Sequence, residues 1–435
     1  MTDGRSRDGG YGRGTAVLSA GIGVTGLVTY AFFSLSSYAL DDAQYGRITL
    51  LWSAVFVVVS VLYRPVEQLL SRSLADRAAR GGTRSAPMRV AATIQLGLGA
   101  AFLVGALLGR RALEDGLFGG SSALYWILVA TVLAYAASYF ARGFLAGGRH
   151  FGLYGGLVLM ESLCRVCFPL AAVVGLASGQ AWVALGILAA PIASLAVVPW
   201  ALGRRLRRTE EAPAPAATDG STADPAGEFT LSQGAGFALA VLVIMAAEQT
   251  FLNAGPLVVK ATGGAEGAAL AGLVFNVLLI ARAPLQLFQS VQTAILPHLT
   301  RLRAGGEADP FRRSVQVTLI AVAGFAGAVA LALAAVGPWV LGLVFEGEGE
   351  YARGGLVLVA LGMGLYLASA TLNQAALARG QATRAAGCWA ASALAFLGLL
   401  LAPWPEDPVL RVEGAFLLGS MLLAGLLLGL YRRTA

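Results

Sequence analysis

Lysine is almost missing from this chain: one, Lys260, stands against thirty arginines in 435 residues. Histidine occurs twice, cysteine three times, and only 13% of residues carry a charge. Each scarcity excludes something. His150 and His298 have no partners at metal-ligand spacing, so neither a metal site nor a cofactor is expected. Cys164, Cys167 and Cys388 all fall in apolar stretches, which gives no disulfide framework; the Cys-x-x-Cys reads as small packing residues rather than a redox pair. No Walker motif occurs, so ATP is not the expected power source. GIGVTG, Gly21 to Gly26, matches the dinucleotide pattern, yet it sits inside an apolar run with no strand before it. Its glycines are better read as points of close helix packing.

What the chain has in quantity is hydrocarbon, since 57% of its residues are Ala, Val, Ile, Leu, Met, Phe, Trp, Tyr or Cys. Apolar runs long enough to cross roughly 30 Å of bilayer as helices recur along its length. Twelve are read, at 15–37, 45–63, 88–108, 123–143, 153–176, 181–203, 232–254, 267–292, 315–343, 354–377, 385–403 and 412–431. The first run is too long for a signal peptide and is kept as a span. The fold class expected is therefore an all-α polytopic membrane protein.

Arginine sets the orientation, because basic loops resist translocation. With the N-terminus in the cytoplasm, 23 of the 31 basic residues fall inside and 6 outside, while Arg165 and Arg282 lie within the membrane. Both termini are expected to be cytoplasmic. The sequence pI near 9.6 then reports topology, and no nucleic acid is called for, since the arginines are spread over many short loops. The Arg-for-Lys bias with abundant Ala and Gly suggests a GC-rich bacterial gene, hence the bacterial cytoplasmic membrane.

Six spans precede and six follow GRRLRRTEEAPAPAATDGSTADPAGEFT, the one long polar stretch, which reads as a disordered tether. The division expected is a cytoplasmic tail (1–14), an N-lobe (15–203), a linker (204–230), a C-lobe (231–431) and a C-terminal tail (432–435). The lobes resemble one another weakly. YRPVEQLLS aligns with RAPLQLFQS, pairing Pro65 with Pro284; LAGGRHFGLYG aligns with LARGQATRAAG, pairing Leu145 with Leu377 and Gly148 with Gly380. Six helices per unit make these parallel repeats. Pro65 and Pro284 are candidate hinges, because proline removes a backbone donor; tolerated prolines with no motion are an equal reading. After Pro65, an apolar face of Val66, Leu69, Leu70 and Leu74 opposes Glu67, Arg72, Asp76, Arg77 and Arg80. This is expected to be a helix lying along the inner surface.

Chemistry at membrane depth is confined to Glu161, Arg165, Glu248, Gln249, Asn253, Asn276, Arg282, Asn373 and Gln374, with Arg64 near a helix end. A charge at mid-bilayer costs about 3 kcal/mol even on the lenient scale, so such groups face protein or a wet cavity. Glu161 and Arg165 are spaced i, i+4 with the acid first, the favourable order for a helical ion pair. They are either a self-neutralised packing pair or a lumen-facing pair that touches a polar cargo. Arg282 is rotated by about 120° from Asn276, so one helix face does not hold both. For Arg64, the plain reading is a basic residue at the cytoplasmic interface.

Twelve spans in two halves, RPVEQ ending the second and RGFLAGGRHFGLYG entering the fifth, resemble the multidrug/oligosaccharidyl-lipid/polysaccharide (MOP) superfamily, specifically Wzx-like polysaccharide flippases. The resemblance covers essentially the whole chain. It implies a MATE-like arrangement of two six-helix lobes around a central lumen, and alternating access that moves a lipid-linked oligosaccharide on polyprenyl pyrophosphate across the bilayer. Its expected partners are that lipid substrate, the bilayer and the polysaccharide synthesis machinery, and it implies a transporter rather than an enzyme. A pyrophosphate needs cations, and guanidinium matches phosphate oxygens. Arg282 ranks first, then Arg165, then Arg64; the first span, by contrast with the family tendency, holds no Arg or Lys. Glu161 and Glu248 are the candidates for binding a coupling H+ or Na+. Two alternatives stand beside the flippase: a cation-coupled multidrug exporter, weakened by the lack of an acid between Thr15 and Ser37, and a membrane-embedded glycan polymerase or ligase. The enzyme is disfavoured because the outer loops near 109–122 and 255–266 are too short to form domains.

Overall fold

The computed structural model describes residues 24–79, 85–148, 150–195, 231–280, 282, 308–345, 351–403 and 405–433. The tail expected at 1–14, the linker expected at 204–230 and the last two residues of the tail expected at 432–435 lie outside these. Among the described residues every regular element is helical. In chain order they are α1 (24–39), α2 (Asp42–Leu62), α3 (Arg64–Ala79), α4 (Ser85–Leu108), α5 (Ser122–Gly147), α6 (Phe151–Val173) and α7 (Gln180–Ser194), followed after residue 230 by α8 (Leu231–Thr262), α9 (Gly267–Ile280), α10 (Ala308–Val344), α11 (Arg353–Ala378), α12 (Ala382–Leu401) and α13 (Pro408–Arg433). Each of the twelve expected spans overlies one of these helices, and α3 is the thirteenth. Among the described residues nine stretches are long and apolar enough to cross a membrane, with α7 and α9 shorter.

The outward faces explain where this fold lives. On α4 and α10, Leu96, Leu108, Ile320, Leu331 and Trp339 are all exposed, while carboxylates and amides are held inside. Water would not tolerate that inversion; a bilayer requires it. The chain is a multi-pass membrane protein.

Packing is set by glycine where helices cross closely. A Cβ at Gly46 on α2 would lie 1.8 Å from the Ala268 carbonyl oxygen on α9, and one at Gly272 would lie 3.3 Å from Gly46. Only glycine fits there. This crossing ties the helices before the linker to those after it, and hydrogen bonds reinforce it: Tyr45 donates to Asn276, Tyr30 to the Leu279 carbonyl, Ser34 to the Val344 carbonyl, and Tyr38 to the Leu343 carbonyl at 3.0 Å. Gly143 and Gly147 on α5 do the same for α3, since a Cβ at either would run into the α3 backbone.

Several expectations need correction. On α3, Val66, Leu70 and Leu74 are buried as read, but Leu69 is 45% exposed. Glu67, placed on the watery face, is half-buried against α6 instead. A helix held against α5 by two glycines is docked on protein, so its amphipathic pattern serves packing as well as the interface. The segment read as an outer loop near 109–122 contains a π-helical turn, Ala112–Leu117. The loop read near 255–266 is helical through Thr262.

The internal repeat is present with a different register. α5 and α11 are each 26 residues long and begin at 122 and 353, numbers 231 apart; α6 and α12 begin at 151 and 382, again 231 apart. Aligning Gly148 with Gly380 imposes 232. Those glycines are not equivalent: Gly380 is left-handed at φ +74, whereas Gly148 has φ −81. The two corners turn differently, and the sequence match followed the glycine rather than the helix ends.

Candidate functional site

Polar residues recur along α5 at Thr131, Tyr135, Ser138 and Arg142, steps of four, three and four that put them on one face. That face meets Glu161 on α6. Ser138 donates to Glu161 Oε1 at 2.5 Å, Arg142 forms an ion pair with Oε2, and the Ser194 hydroxyl of α7 lies 3.3 Å from Oε1. Glu161 is 3% exposed. The expected pairing of Glu161 with Arg165 is therefore replaced: the ion partner of Glu161 is Arg142, assigned from sequence to the cytoplasmic side. Arg165 turns instead to α2 and α5, its guanidinium 4.4 Å from the Trp52 ring centroid and its Nη2 donating to the Tyr135 hydroxyl at 3.1 Å. The i, i+4 spacing does put both on one face, but neighbouring helices offer each a better partner than the other.

Arg142 also lies over the Tyr139 ring at 4.5 Å and acts electrostatically on Glu67. Glu67 Oε1 accepts from the Tyr154 hydroxyl at 2.9 Å. Arg64, one turn before Glu67 on α3, faces across to the second set of helices, where its strongest electrostatic partner is Glu248 of α8. Tyr366 of α11 neighbours Glu248, Arg64 and Arg282. Arg282 has as its electrostatic neighbours the hydroxyls of Tyr30 on α1 and Tyr366, with no carboxylate among them.

Arg64, Glu248 and Arg282 thus meet at a shared neighbour, Tyr366, between the two helix sets, and neither Arg64 nor Glu248 is itself among the groups acting on Arg282. Arg64 and Arg282 are largely enclosed by protein and only partly exposed. Arg282 Nε and Nη2 are buried and have no hydrogen-bond acceptor among the described residues. A guanidinium in that position has donors to offer to an anion.

The remaining predicted residues are spread through the packing. Asn253 donates to Gln249 Oε1 at 3.0 Å, so these two satisfy one another along α8. Asn276 is fully buried and accepts from Tyr45; Asn373 accepts from Trp389 Nε1 at 3.2 Å. Gln374 Oε1 is buried without a partner among the described residues. Before Pro65 the helix is interrupted at one residue: α2 ends at Leu62, Tyr63 is a turn, and α3 resumes at Arg64, with the helical bonds from Tyr63 to Val59 and from Glu67 to Tyr63 kept. Pro284 lies outside the described residues.

Sequence reasoning missed Arg142, Glu67, Tyr30, Tyr154 and Tyr366, and also Glu413, which is 5% exposed on α13 and accepts from Tyr351. The α5 stripe could have pointed to Arg142. Nothing local marks the tyrosines, whose apolar bodies hide them among aromatic core residues.

No protein-family model and no curated protein matches this chain. Solved structures do. The eukaryotic MATE transporter AtDTX14 is 15% identical with a TM-score of 0.65, covering 98% of this chain and 97% of its own. An inward-facing multidrug resistance MATE family transporter of the MOP superfamily is 15% identical with a TM-score of 0.63, covering 96% and 98%. A MOP superfamily transporter from Pyrococcus furiosus, described as having a binding pocket of reversed polarity, is 15% identical with a TM-score of 0.62, covering 97% and 96%. At these identities the likeness is one of fold, and it spans the whole chain. This protein has a MATE-like fold.

Proposed function

We propose that this protein is an alternating-access transporter whose cargo is a lipid-linked oligosaccharide with a pyrophosphate headgroup, moved across the bacterial cytoplasmic membrane for cell-surface polysaccharide synthesis. The observation that carries the reading is Arg282, a partly exposed guanidinium between the two helix sets, with two donors lacking acceptors among the described residues and no carboxylate among its electrostatic neighbours. A pyrophosphate supplies both the acceptors and the countercharge, and planar guanidinium recognises phosphate oxygens with paired donors. Arg64 is placed to assist when Glu248 releases it. Arg165 is demoted in this role: it is 3% exposed and capped by Trp52 and Tyr135, which leaves no approach for a bulky headgroup.

A second reading, cation-coupled export of drugs, is favoured by one observation: Glu248 is a partly exposed carboxylate at the same meeting point. The pocket of reversed polarity described for the Pyrococcus furiosus protein is a reason to let pocket charge decide between the two. In proteoliposomes, the flippase reading expects movement of a fluorescent polyprenyl-pyrophosphate saccharide between leaflets, slowed at least tenfold by Arg282→Gln. Efflux of a cationic dye that depends on Glu248, with no lipid movement, would give the protein to the exporter reading.

A further inference from the structure

Two carboxylates from different helices surround one guanidinium in the N-terminal set, and the structure treats them unequally. Glu161 accepts from Arg142 and Ser138, with Ser194 close by. Every hydrogen-bonding group around its oxygens is a donor. Glu67 has a single hydrogen-bond donor among the described residues, the Tyr154 hydroxyl, and Arg142 is already committed to Glu161. Glu67 is also the more exposed of the two.

We infer that Glu67 is a proton-binding site that couples protonation to the position of α3. The inference rests on the transport reading and names its coupling ion as H+. The geometry supplies the link. Glu67 sits one turn after the interruption at Tyr63, on the same short helix as Arg64. Ionised, it is drawn to Arg142 and Arg64 and holds Tyr154 of α6, which keeps α3 docked and Arg64 aimed at Glu248. A proton from water on the free oxygen of Glu67 cancels that attraction and leaves α3 held by its apolar face alone. The charged or titratable groups acting on Glu67 are Arg64 on α3, Arg142 on α5, and Tyr154 and Glu161 on α6; Tyr139 of α5 also senses its charge. Of the two carboxylates beside Arg142, Glu161 has donors on both oxygens, and Glu67 keeps an oxygen with no donor among the described residues.

The test reads protonation directly, without cargo. The full-length protein in nanodiscs is titrated while the carboxylic C=O stretch is followed by infrared difference spectroscopy. In the wild-type spectra acidification is expected to raise a component of this band that is missing in Glu67→Gln and retained in Glu161→Gln and Glu248→Gln. Tyr154→Phe, which removes the donor to the ionised form, should move its midpoint to higher pH without abolishing it. Should Glu161→Gln fail to fold, the comparison of Glu67→Gln with Glu248→Gln and the Tyr154→Phe shift still decides. A band unchanged in Glu67→Gln overturns the inference even if lipid transport is intact; a component lost in Glu67→Gln with no lipid transport keeps the proton site and discards the cargo.

Discussion

The two halves share a helical plan, but their interiors are built from different chemistry. Before the linker, α5 and α6 enclose a hydrogen-bonded ionic network in which Arg142, Glu161 and Ser138 satisfy one another. After it, the equivalent helices α11 and α12 pack around aromatic rings. Phe251 stacks on Phe396 at 4.8 Å, and Tyr366, Trp389 and Phe416 close the cluster edge-on or tilted. Apart from Glu413, buried on α13 and bonded to Tyr351, the ionisable groups singled out in that half are Glu248 and Arg282. The repeat thus keeps the length of α5 in α11 while the centre diverges: one half holds Arg282, with no carboxylate among its electrostatic neighbours in the described residues, and the other holds the neutralised network.

That contrast can be broken from either side. The largest effect is expected from Arg142→Ala, which strands Glu161 as a buried lone charge and should cost about 3–5 kcal/mol, read as loss of folded protein in a thermal or denaturant series. Arg142→Ala combined with Glu161→Gln should recover much of it. Close behind, Phe251→Ala opens a void at the centre of the aromatic cluster and should cost about 3 kcal/mol, because surrounding rings relax only partly. Arg282→Gln inverts the pattern: stability unchanged or slightly raised, since a guanidinium with no carboxylate neighbour among the described residues is removed, with transport down at least tenfold. The smallest effect is expected from Glu248→Gln, which weakens the hold on Arg64 and should change transport two- to threefold while leaving the melting temperature in place. Equal destabilisation by Arg142→Ala and Arg282→Gln would erase the distinction between the halves.

How far the sequence reaches is clearest at particular residues. The helices were legible because an 18-residue apolar run has few other meanings. Arg282 and Glu248 stood out because ionisable groups are costly in hydrocarbon, a rule that needs no partner to be known. Pairing was not legible. Glu161 has one basic neighbour in sequence, Arg165, and a different one in space, Arg142, because burial against α5 outweighs spacing along α6. Glu67 looked solvent-facing by periodicity, yet α3 is pinned to α5 by Gly143 and Gly147, a contact visible only once both helices are placed. The repeat was found, but one residue out of register, since a glycine match weighed more than the shared lengths of α5 and α11.

The most direct measurement compares two lipids on the same purified protein: polyprenyl pyrophosphate and the uncharged polyprenol of equal chain length, each titrated while the melting temperature is followed. The pyrophosphate lipid should stabilise wild type, polyprenol should not, and Arg282→Gln should lose the difference. Equal stabilisation by both lipids, or a pyrophosphate response that survives Arg282→Gln, would contradict the assignment of the guanidinium between the helix sets to an anionic headgroup.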